Sequence, residues 1–335
     1  MAEPLIHVTR GKVIECIHRG DVVVVNNRGD VLYYSGDPFK YTYMRSAAKP
    51  IQALNVILSG AAKQFELSSR ELAIICSSHY AEEMHLKTVQ NILEKVGLSS
   101  DSLLAGASVS INKEIALKNA REKKDPSSLQ NDCSGKHAGM LATCKYKGYP
   151  IDSYLSDNHP VQQEILSILS DICNYPSEKI LTGIDGCSVP VHALPLFNMA
   201  LGYARLTNPE NLENRYKTAI SQVVEAMIAN PFMIAGTNGF CTDLIANTNG
   251  KLIGKIGAEG IYCVGIKEKN IGIAVKIEDG NMNMLPPVVT HVLKTLRVLS
   301  ADELNNLEKY IIMDNLNDSG NKVGEIKPAF KLNIL

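Results

Sequence analysis

The chain has 335 residues, and its 34 basic and 35 acidic residues leave a formal net charge of -1. Such a length can bury a large core, and the balanced charge offers no broad basic surface for a nucleic acid. No segment approaches the roughly 18 consecutive apolar residues of a membrane-spanning helix, and residues 1–10 lack the pattern of a secretory signal. We therefore expect a globular, cytoplasmic protein without nucleic-acid or membrane partners.

The eight cysteines are scattered along the chain without a CxxC pair. Because a chain of this length does not need disulfide bonds for stability, we expect most of them to be reduced, buried thiols. Neither GxGxxG nor GxxxxGK[ST] occurs, so no common phosphate-binding loop indicates a nucleotide site.

Both ends of the chain carry the pattern of antiparallel strands. Near the start, residues 13–17, 22–25 and 31–34 are β-rich, and a turn at residues 26–29 divides the last two. Towards the end, residues 252–256, 261–266 and 271–277 repeat the pattern between glycine-containing turns.

The middle of the chain has helical periodicity instead. Apolar residues recur at helical spacing over residues 86–96, over 161–172 behind Pro160, and over 220–228 before Pro231. Residues 288–299 predict a further helix, and Ser300 with Glu303 forms a capping-box pattern. This order predicts one α+β domain over residues 1–335, with an antiparallel sheet from roughly residues 1–45 and 250–335 and a helical part from roughly 46–250.

The stretch RSAAKP, residues 45–50, contains the first candidate for chemistry. Ser46 and Lys49 are neighbours at i and i+3 on a helical turn, which suits a nucleophile and its base. A lysine acts as a base only if its pKa is lowered towards neutrality, by burial or by a nearby cation. The alternative is a serine that caps a helix beside a solvated lysine. Pro50 predicts an irregular or tightened first turn, followed by a regular helix over about residues 50–58.

Two further stretches combine polar groups with an apolar run. CSSHY, residues 76–80, places hydroxyl groups and an imidazole after such a run, and GKIGAEG, residues 254–260, places Lys255 in a glycine-rich strand end. Together with Ser-x-x-Lys, these are the parts of the penicillin-recognising serine hydrolases. Ile256 occupies the position of the expected threonine, however, and no SDN motif occurs.

A third constellation suits a metal ion. Cys133 and Lys136 are spaced i and i+3 in NDCSGKHAGML, and Cys187 lies in GIDGCSVP. Two thiolates and a nitrogen match the preference of zinc, although a lysine must lose its proton to bind, and buried thiols are the simpler interpretation. His137 is the alternative ligand. Asp185 either bonds a water on the metal or shapes a turn.

These motifs, in this order, resemble the rhizobial-type, thermolabile L-asparaginases, also called asparaginase II or class 3. The resemblance extends over nearly the whole chain, and it implies a serine β-lactamase or penicillin-binding-like fold and a homodimer. It implies two Ser-Lys pairs, namely Ser46 with Lys49 and Ser78 with Lys255. It also implies a zinc site of Cys133, Lys136 and Cys187, with Asp185 near a water on the metal.

The expected reaction is hydrolysis of the side-chain amide of L-asparagine in two acyl-transfer steps. We expect Ser46 to attack while Lys49 takes its proton, and Ser78 with Lys255 to relay a proton to the departing amine. Two ammonium groups in one dry pocket repel each other, so at least one should have a low pKa. Zinc and Asp185 would position the α-amino and α-carboxylate end of the substrate.

Several alternatives remain at this point. A glutaminase or a β-lactam-binding protein keeps the Ser-x-x-Lys pattern with a different pocket. AGTNGF, residues 235–240, is compatible with self-cleavage that exposes Thr237 as a terminal nucleophile. A zinc-stabilised binding protein for an amino acid would bind asparagine without releasing ammonia.

Overall fold

The computed structural model describes all residues, 1–335, as eleven strands and fourteen α-helices. The strands are β1 (Glu3–Arg10), β2 (Val13–Asn26), β3 (Val31–Ser35), β4 (Tyr41–Tyr43), β5 (Leu181–Ile184), β6 (Pro190–Pro195), β7 (Leu252–Gly257), β8 (Ile261–Ile266), β9 (Ile271–Ile277), β10 (Met313–Leu316) and β11 (Lys322–Pro328).

The α-helices are α1 (Lys49–Gln52), α2 (Leu54–Leu58), α3 (Ala61–Gln64), α4 (Ser69–Ile75), α5 (Glu83–Lys95), α6 (Lys113–Arg121), α7 (Ser134–Lys147), α8 (Pro160–Cys173), α9 (Leu196–Thr207), α10 (Asn214–Ala229), α11 (Pro231–Ile234), α12 (Phe240–Ala246), α13 (Leu285–Thr295) and α14 (Ala301–Asn306). Short 3₁₀ helices occur at Arg45–Ala48, Ser100–Ser102, Ser177–Lys179, Met282–Met284 and Glu308–Tyr310.

The chain divides into two compact units. The sheet unit consists of Met1–Ala47, Leu194–Asn208 and Asn247–Leu335. The helical unit consists of Ala48–Ala193 and Pro209–Ala246. Helix α9 therefore belongs to the sheet unit, although the sequence assigns its residues to the helical part.

The sheet unit is built on one antiparallel sheet of eight strands. Its strands follow the order β10-β11-β1-β2-β9-β8-β7, and β3 pairs with β2. Strands from both ends of the chain therefore share this sheet, which confirms the predicted α+β class. The segments predicted at residues 13–17 and 22–25 are one long strand, β2, because β1 and β9 pair with its two halves. Strand β1 has no counterpart among the predicted elements.

Helix α9 packs against β2, β8 and β9, and glycines on β8 and β9, Gly265 and Gly272, allow this contact. Gly272, on β9, lies so close to α9 that a Cβ atom there would overlap the carbonyl oxygen of Ala200. The interior of this unit is apolar: Val22, Val264 and Ile273 are fully buried. The helix therefore approaches the backbone of the sheet most closely where a strand has no side chain.

The helical unit contains the three helices that the periodicity predicts for the middle of the chain. The apolar stretches over residues 86–96, 161–172 and 220–228 form the buried faces of α5, α8 and α10. The turn before Pro50 is a tight 3₁₀ helix, as predicted, but the helix that follows is divided into α1 and α2 at Ala53. Strands β5 and β6 form an antiparallel hairpin. No helix of the chain is long and apolar enough to cross a membrane.

We predict that Gly272→Ala lowers the free energy of unfolding by at least about 3 kcal/mol, because the added methyl group meets rigid backbone that cannot move aside. Thermal or chemical denaturation measures the change. The control is Gly11→Ala, where a Cβ meets nothing within 4 Å and only the positive φ of 56° is penalised, at about 1 to 2 kcal/mol. Equal losses in the two variants would contradict the packing argument.

Candidate active site

A buried lysine and a serine are in direct contact in the helical unit. Lys49 begins α1, is 1% exposed, and donates from Nζ to Ser78 Oγ at 3.0 Å and to the carbonyl oxygen of Ser77 at 2.6 Å. Ser78 lies in the extended segment after α4, and its backbone N-H donates to Ile234 O at 3.0 Å. The site therefore pairs Lys49 with Ser78, a partner that the spacing of RSAAKP does not reveal.

Asp132 is the third partner of Lys49 and is absent from the residues predicted from the sequence. Its Oδ2 lies 3.3 Å from Lys49 Nζ, and its carbonyl oxygen lies 3.4 Å from the same atom. The same Oδ2 lies 3.6 Å from Cys133 Sγ. One feature of the sequence could have indicated Asp132: its carboxylate directly precedes Cys133, the first candidate metal ligand, in NDCSGK.

The pKa of Lys49 is raised in this arrangement, so Lys49 is not the ammonium group of low pKa that the sequence predicts for the site. Burial lowers the pKa of Lys49, but the negative charge of the thiol pair Cys133 and Cys187 and that of Asp132 together outweigh burial and raise the pKa above its usual value. The nearby cation Lys136 opposes them only in part. A raised pKa favours the ammonium form of Lys49, which donates to acceptors on three residues.

Helix α7 lies close to the C-terminal end of α4, because two glycines face that end. A Cβ on Gly135 would overlap the carbonyl oxygen of Ile74, and a Cβ on Gly139 would lie 2.8 Å from Cγ2 of Ile75. Gly135 stands between Cys133 and Lys136, so this contact holds both residues beside the segment that carries Ser78. The two glycines of NDCSGKHAGML therefore allow α7 to pack closely against the end of α4.

Cys133, Lys136 and Cys187 lie close together in the helical unit. All three are nearly fully buried, and Lys136 Nζ donates to Cys187 Sγ at 3.1 Å. A hydrogen bond from the Cys133 thiol, together with the charge of Lys136, lowers the pKa of Cys187 far below its ordinary value. The same hydrogen bond and burial raise the pKa of Cys133. The two sulfurs therefore share one proton, and Cys187 carries the negative charge.

This donor set fits a zinc ion on chemical grounds. No cluster of three or more His, Cys, Asp or Glu side chains has the arrangement of a metal site, so a metal here requires the Lys136 amine as the third donor. Tetrahedral zinc holds sulfur and nitrogen ligands roughly 3.6 Å apart, close to the 3.1 Å between Lys136 Nζ and Cys187 Sγ. Burial lowers the pKa of Lys136, but the two sulfurs raise it by more, so metal binding must displace a proton from this amine.

Two groups border the thiol pair. Asp185 is half-buried, and its Oδ2 lies 3.9 Å from Cys187 Sγ. His137 is fully buried, its Nδ1 lies 2.7 Å from Tyr154 Oη, and its Nε2 has no hydrogen-bond partner of acceptable geometry. The ring nevertheless interacts with the Cys187 sulfur, which adds to the effects of Cys133 and Lys136 in lowering the pKa of that thiol. His137 does not form a metal-binding cluster with the two cysteines in this arrangement, and its role as an alternative ligand stays a prediction.

The other two predicted residues, Ser46 and Lys255, belong to the sheet unit. Ser46 is half-buried in the 3₁₀ helix Arg45–Ala48, which packs on β7 because Gly257 leaves room for the backbone of Met44. Lys255 is fully buried on β7, two residues before Gly257, and its Nζ donates to Ile256 O at 2.9 Å. The predicted pairs Ser46-Lys49 and Ser78-Lys255 each join residues of different units, and they stay predictions.

Thr237 is held by a carboxylate on an exposed loop of the helical unit. Its backbone N-H and its Oγ1 donate to the two oxygens of Glu82, at 2.7 and 2.8 Å. Self-cleavage before Thr237 stays an untested alternative.

Comparison with known proteins defines the class. The family model of L-asparaginase II matches residues 6–328. The chain therefore belongs to the L-asparaginase II family, whose members are amidohydrolases, and it is a hydrolase that acts on an amide. No curated protein matches the chain significantly.

Solved structures of similar proteins include two β-lactamases. One, from Mycobacterium bovis, has a TM-score of 0.43 and 12% identity over 82% of this chain and 94% of that chain. The other, a class C β-lactamase from Rhodobacter sphaeroides, has a TM-score of 0.43 and 13% identity over 84% of this chain and 95% of that chain.

We predict that Gly135→Ala lowers kcat at least about 100-fold, because the added Cβ pushes α7 away from α4 and a displacement near 1 Å at a catalytic group has that effect. Steady-state kinetics of ammonia release measures kcat. Gly139→Ala is the matched control one turn further along α7, where the Cβ meets only the movable side chain of Ile75. A larger loss in Gly139→Ala than in Gly135→Ala would refute this account.

Proposed function

We propose that this protein hydrolyses the side-chain amide of L-asparagine to L-aspartate and ammonia through a serine acyl-enzyme. The observation that carries the proposal is the buried contact between Lys49 Nζ and Ser78 Oγ, at 3.0 Å, in a member of an asparaginase family. A serine in contact with a buried lysine is the arrangement of a hydroxyl group whose proton is managed by an amine. The resemblance supports the further proposal of a homodimer, and the cytoplasmic location expected from the sequence stays a proposal.

The proposed first step uses the serine three residues before Lys49. Ser46 Oγ attacks the amide carbon, a C-O bond forms, and the proton of Ser46 passes to the amine of Lys49. Lys49 must first have lost a proton, and its contact with Asp132 gives that proton an acceptor. The C-N bond then breaks as the leaving amine gains a proton, and ammonia departs.

Ser78 is the proposed path for the proton that the leaving amine needs. The hydrogen bond between Lys49 and Ser78 supports this role, because a proton accepted at Lys49 can be passed on through the Ser78 hydroxyl. Lys255 is buried on β7. In the pair that the resemblance implies, it would orient the hydroxyl group of Ser78 for this proton transfer. A water molecule then adds to the ester, and the same groups return a proton to Ser46.

We propose that zinc is held by Cys133, Lys136 and Cys187. When bound, the ion would neutralise the thiolate charge and help to orient the α-amino and α-carboxylate end of the substrate. Asp185, which is half-buried beside Cys187, supplies a carboxylate of the right charge for the α-ammonium group. Less negative charge near Lys49 would also make loss of its proton easier.

The nucleophile assignment predicts unequal losses in two alanine variants. Ser46→Ala should lower kcat for ammonia release by at least about 1,000-fold, because no acyl-enzyme forms. Ser78→Ala should lower kcat by about 100-fold, because only proton transfer suffers. Mass spectrometry of a quenched reaction should show an acyl adduct in wild type and none in Ser46→Ala.

Ser59→Ala is the control, since Ser59 is a half-buried serine outside the site whose hydroxyl bonds only to Val56 O, Ala61 N and Thr143 Oγ1. If Ser46→Ala kept wild-type turnover and Ser78→Ala lost all of it, Ser78 would be the nucleophile. Binding of asparagine by wild type without release of ammonia would refute the enzyme itself.

The metal assignment predicts that the purified protein contains about one zinc per chain, measured by elemental analysis. Cys133→Ala and Cys187→Ala should each abolish zinc binding, whereas Cys144→Ala, a buried cysteine on the same helix as Lys136, should retain it. A chelator should raise KM for asparagine more than it lowers kcat. Full zinc content in both Cys133→Ala and Cys187→Ala would rule this site out.

A further inference from the structure

His79, the residue next to Ser78, has a defined neutral form. Its Nδ1 accepts the backbone N-H of Ala81 at 3.1 Å, so Nε2 carries the ring hydrogen. Nε2 therefore donates to Ser134 Oγ, at 2.8 Å, and the Ser134 hydroxyl donates to Leu129 O at 3.0 Å. The ring is fully buried, and burial lowers the pKa of His79 to about 3.

This hydrogen bond joins two segments that both carry site residues. His79 belongs to the segment after α4, which presents Ser78 to Lys49. Ser134 is the first residue of α7 and directly follows Cys133. The backbones of α4 and α7 already touch at Gly135, and the imidazole adds a directional bond at the same junction.

We propose that His79 is a positioning residue, which fixes Ser78 relative to the N-terminal turn of α7 through its bond to Ser134. The inference rests on the proposed function. Its basis is that an error near 1 Å at a catalytic hydroxyl lowers the rate about 100-fold. His79 contacts none of the reacting groups and acts through Ser78.

His85 provides a matched control, because its ring makes the same kind of bonds without reaching α7. Its Nδ1 accepts the backbone N-H of Glu82 at 3.1 Å, and its Nε2 lies 3.0 Å from Phe232 O. The rings of His79 and His85 are stacked, with centroids 5.4 Å apart. Replacing either histidine by asparagine removes a similar buried ring and a similar Nε2 bond, but only the change at His79 breaks the link to Ser134.

The experiment compares five variants by steady-state kinetics with L-asparagine. His79→Asn keeps an acceptor near the Nδ1 position and loses the donor, whereas His79→Gln keeps a donor near the Nε2 position. We expect His79→Asn and Ser134→Ala each to lower kcat about 10- to 100-fold with KM changed less than about threefold. The double variant should be no slower than either single variant, His79→Gln should recover part of the rate, and His85→Asn should stay near wild type.

An equal loss of kcat in His85→Asn, or losses that multiply in the double variant, would overturn the proposal. Amide hydrogen exchange tests the link without any turnover. Exchange over residues 131–136 should rise in His79→Asn and Ser134→Ala but not in His85→Asn, and unchanged exchange in the first two would also overturn it. If the wild type released no ammonia, the proposed function would fail, and the exchange data would still decide whether His79 ties the two segments together.

Discussion

The close contact between α7 and the end of α4 is the constraint on which the helical-unit site depends. Gly135 meets the carbonyl oxygen of Ile74 with no room for a side chain, so the distance between these helices is set by backbone. Cys133 and Lys136 flank this glycine, and the segment after Ile75 carries Ser78. Packing of the two helices thus determines the distance between Ser78 and the thiol pair of Cys133 and Cys187. The hydrogen bonds of the site act within this arrangement.

Several charged groups are buried beside this contact between α7 and α4. Lys49 and Lys136 are almost fully buried, and their compensation comes from Asp132 and from the thiol pair of Cys133 and Cys187. Buried charges are costly unless they are paired and hydrogen-bonded, so none of these groups is independent of the others. Removal of either lysine would leave negative charge uncompensated, which links the stability of the helical unit to the residues of its site.

Much of the fold could be predicted from periodicity, and the failures have physical causes. The helices α5, α8 and α10 follow from apolar spacing, because one buried face determines each, and β8 and β9 follow from short apolar runs that are buried on both faces. The join of two predicted strands into β2 could not be foreseen, since it depends on pairing with distant strands at both ends. In the site, local spacing suggests Ser46 for Lys49, whereas Ser78 and Asp132 reach this amine from 29 and 83 residues away.

The bonds of Lys49 also limit how it can exchange a proton. An ammonium group has three donors, and Ser77 O, Ser78 Oγ and Asp132 lie around Nζ at 2.6, 3.0 and 3.3 Å. A neutral amine would keep two N-H groups and offer one lone pair. The shortest contact is with a carbonyl oxygen, which cannot take up a proton, whereas Asp132 is the longest of the three and a carboxylate. Loss of the proton towards Asp132 therefore leaves the bonds to Ser77 and Ser78 in place, and Ser78 keeps its position.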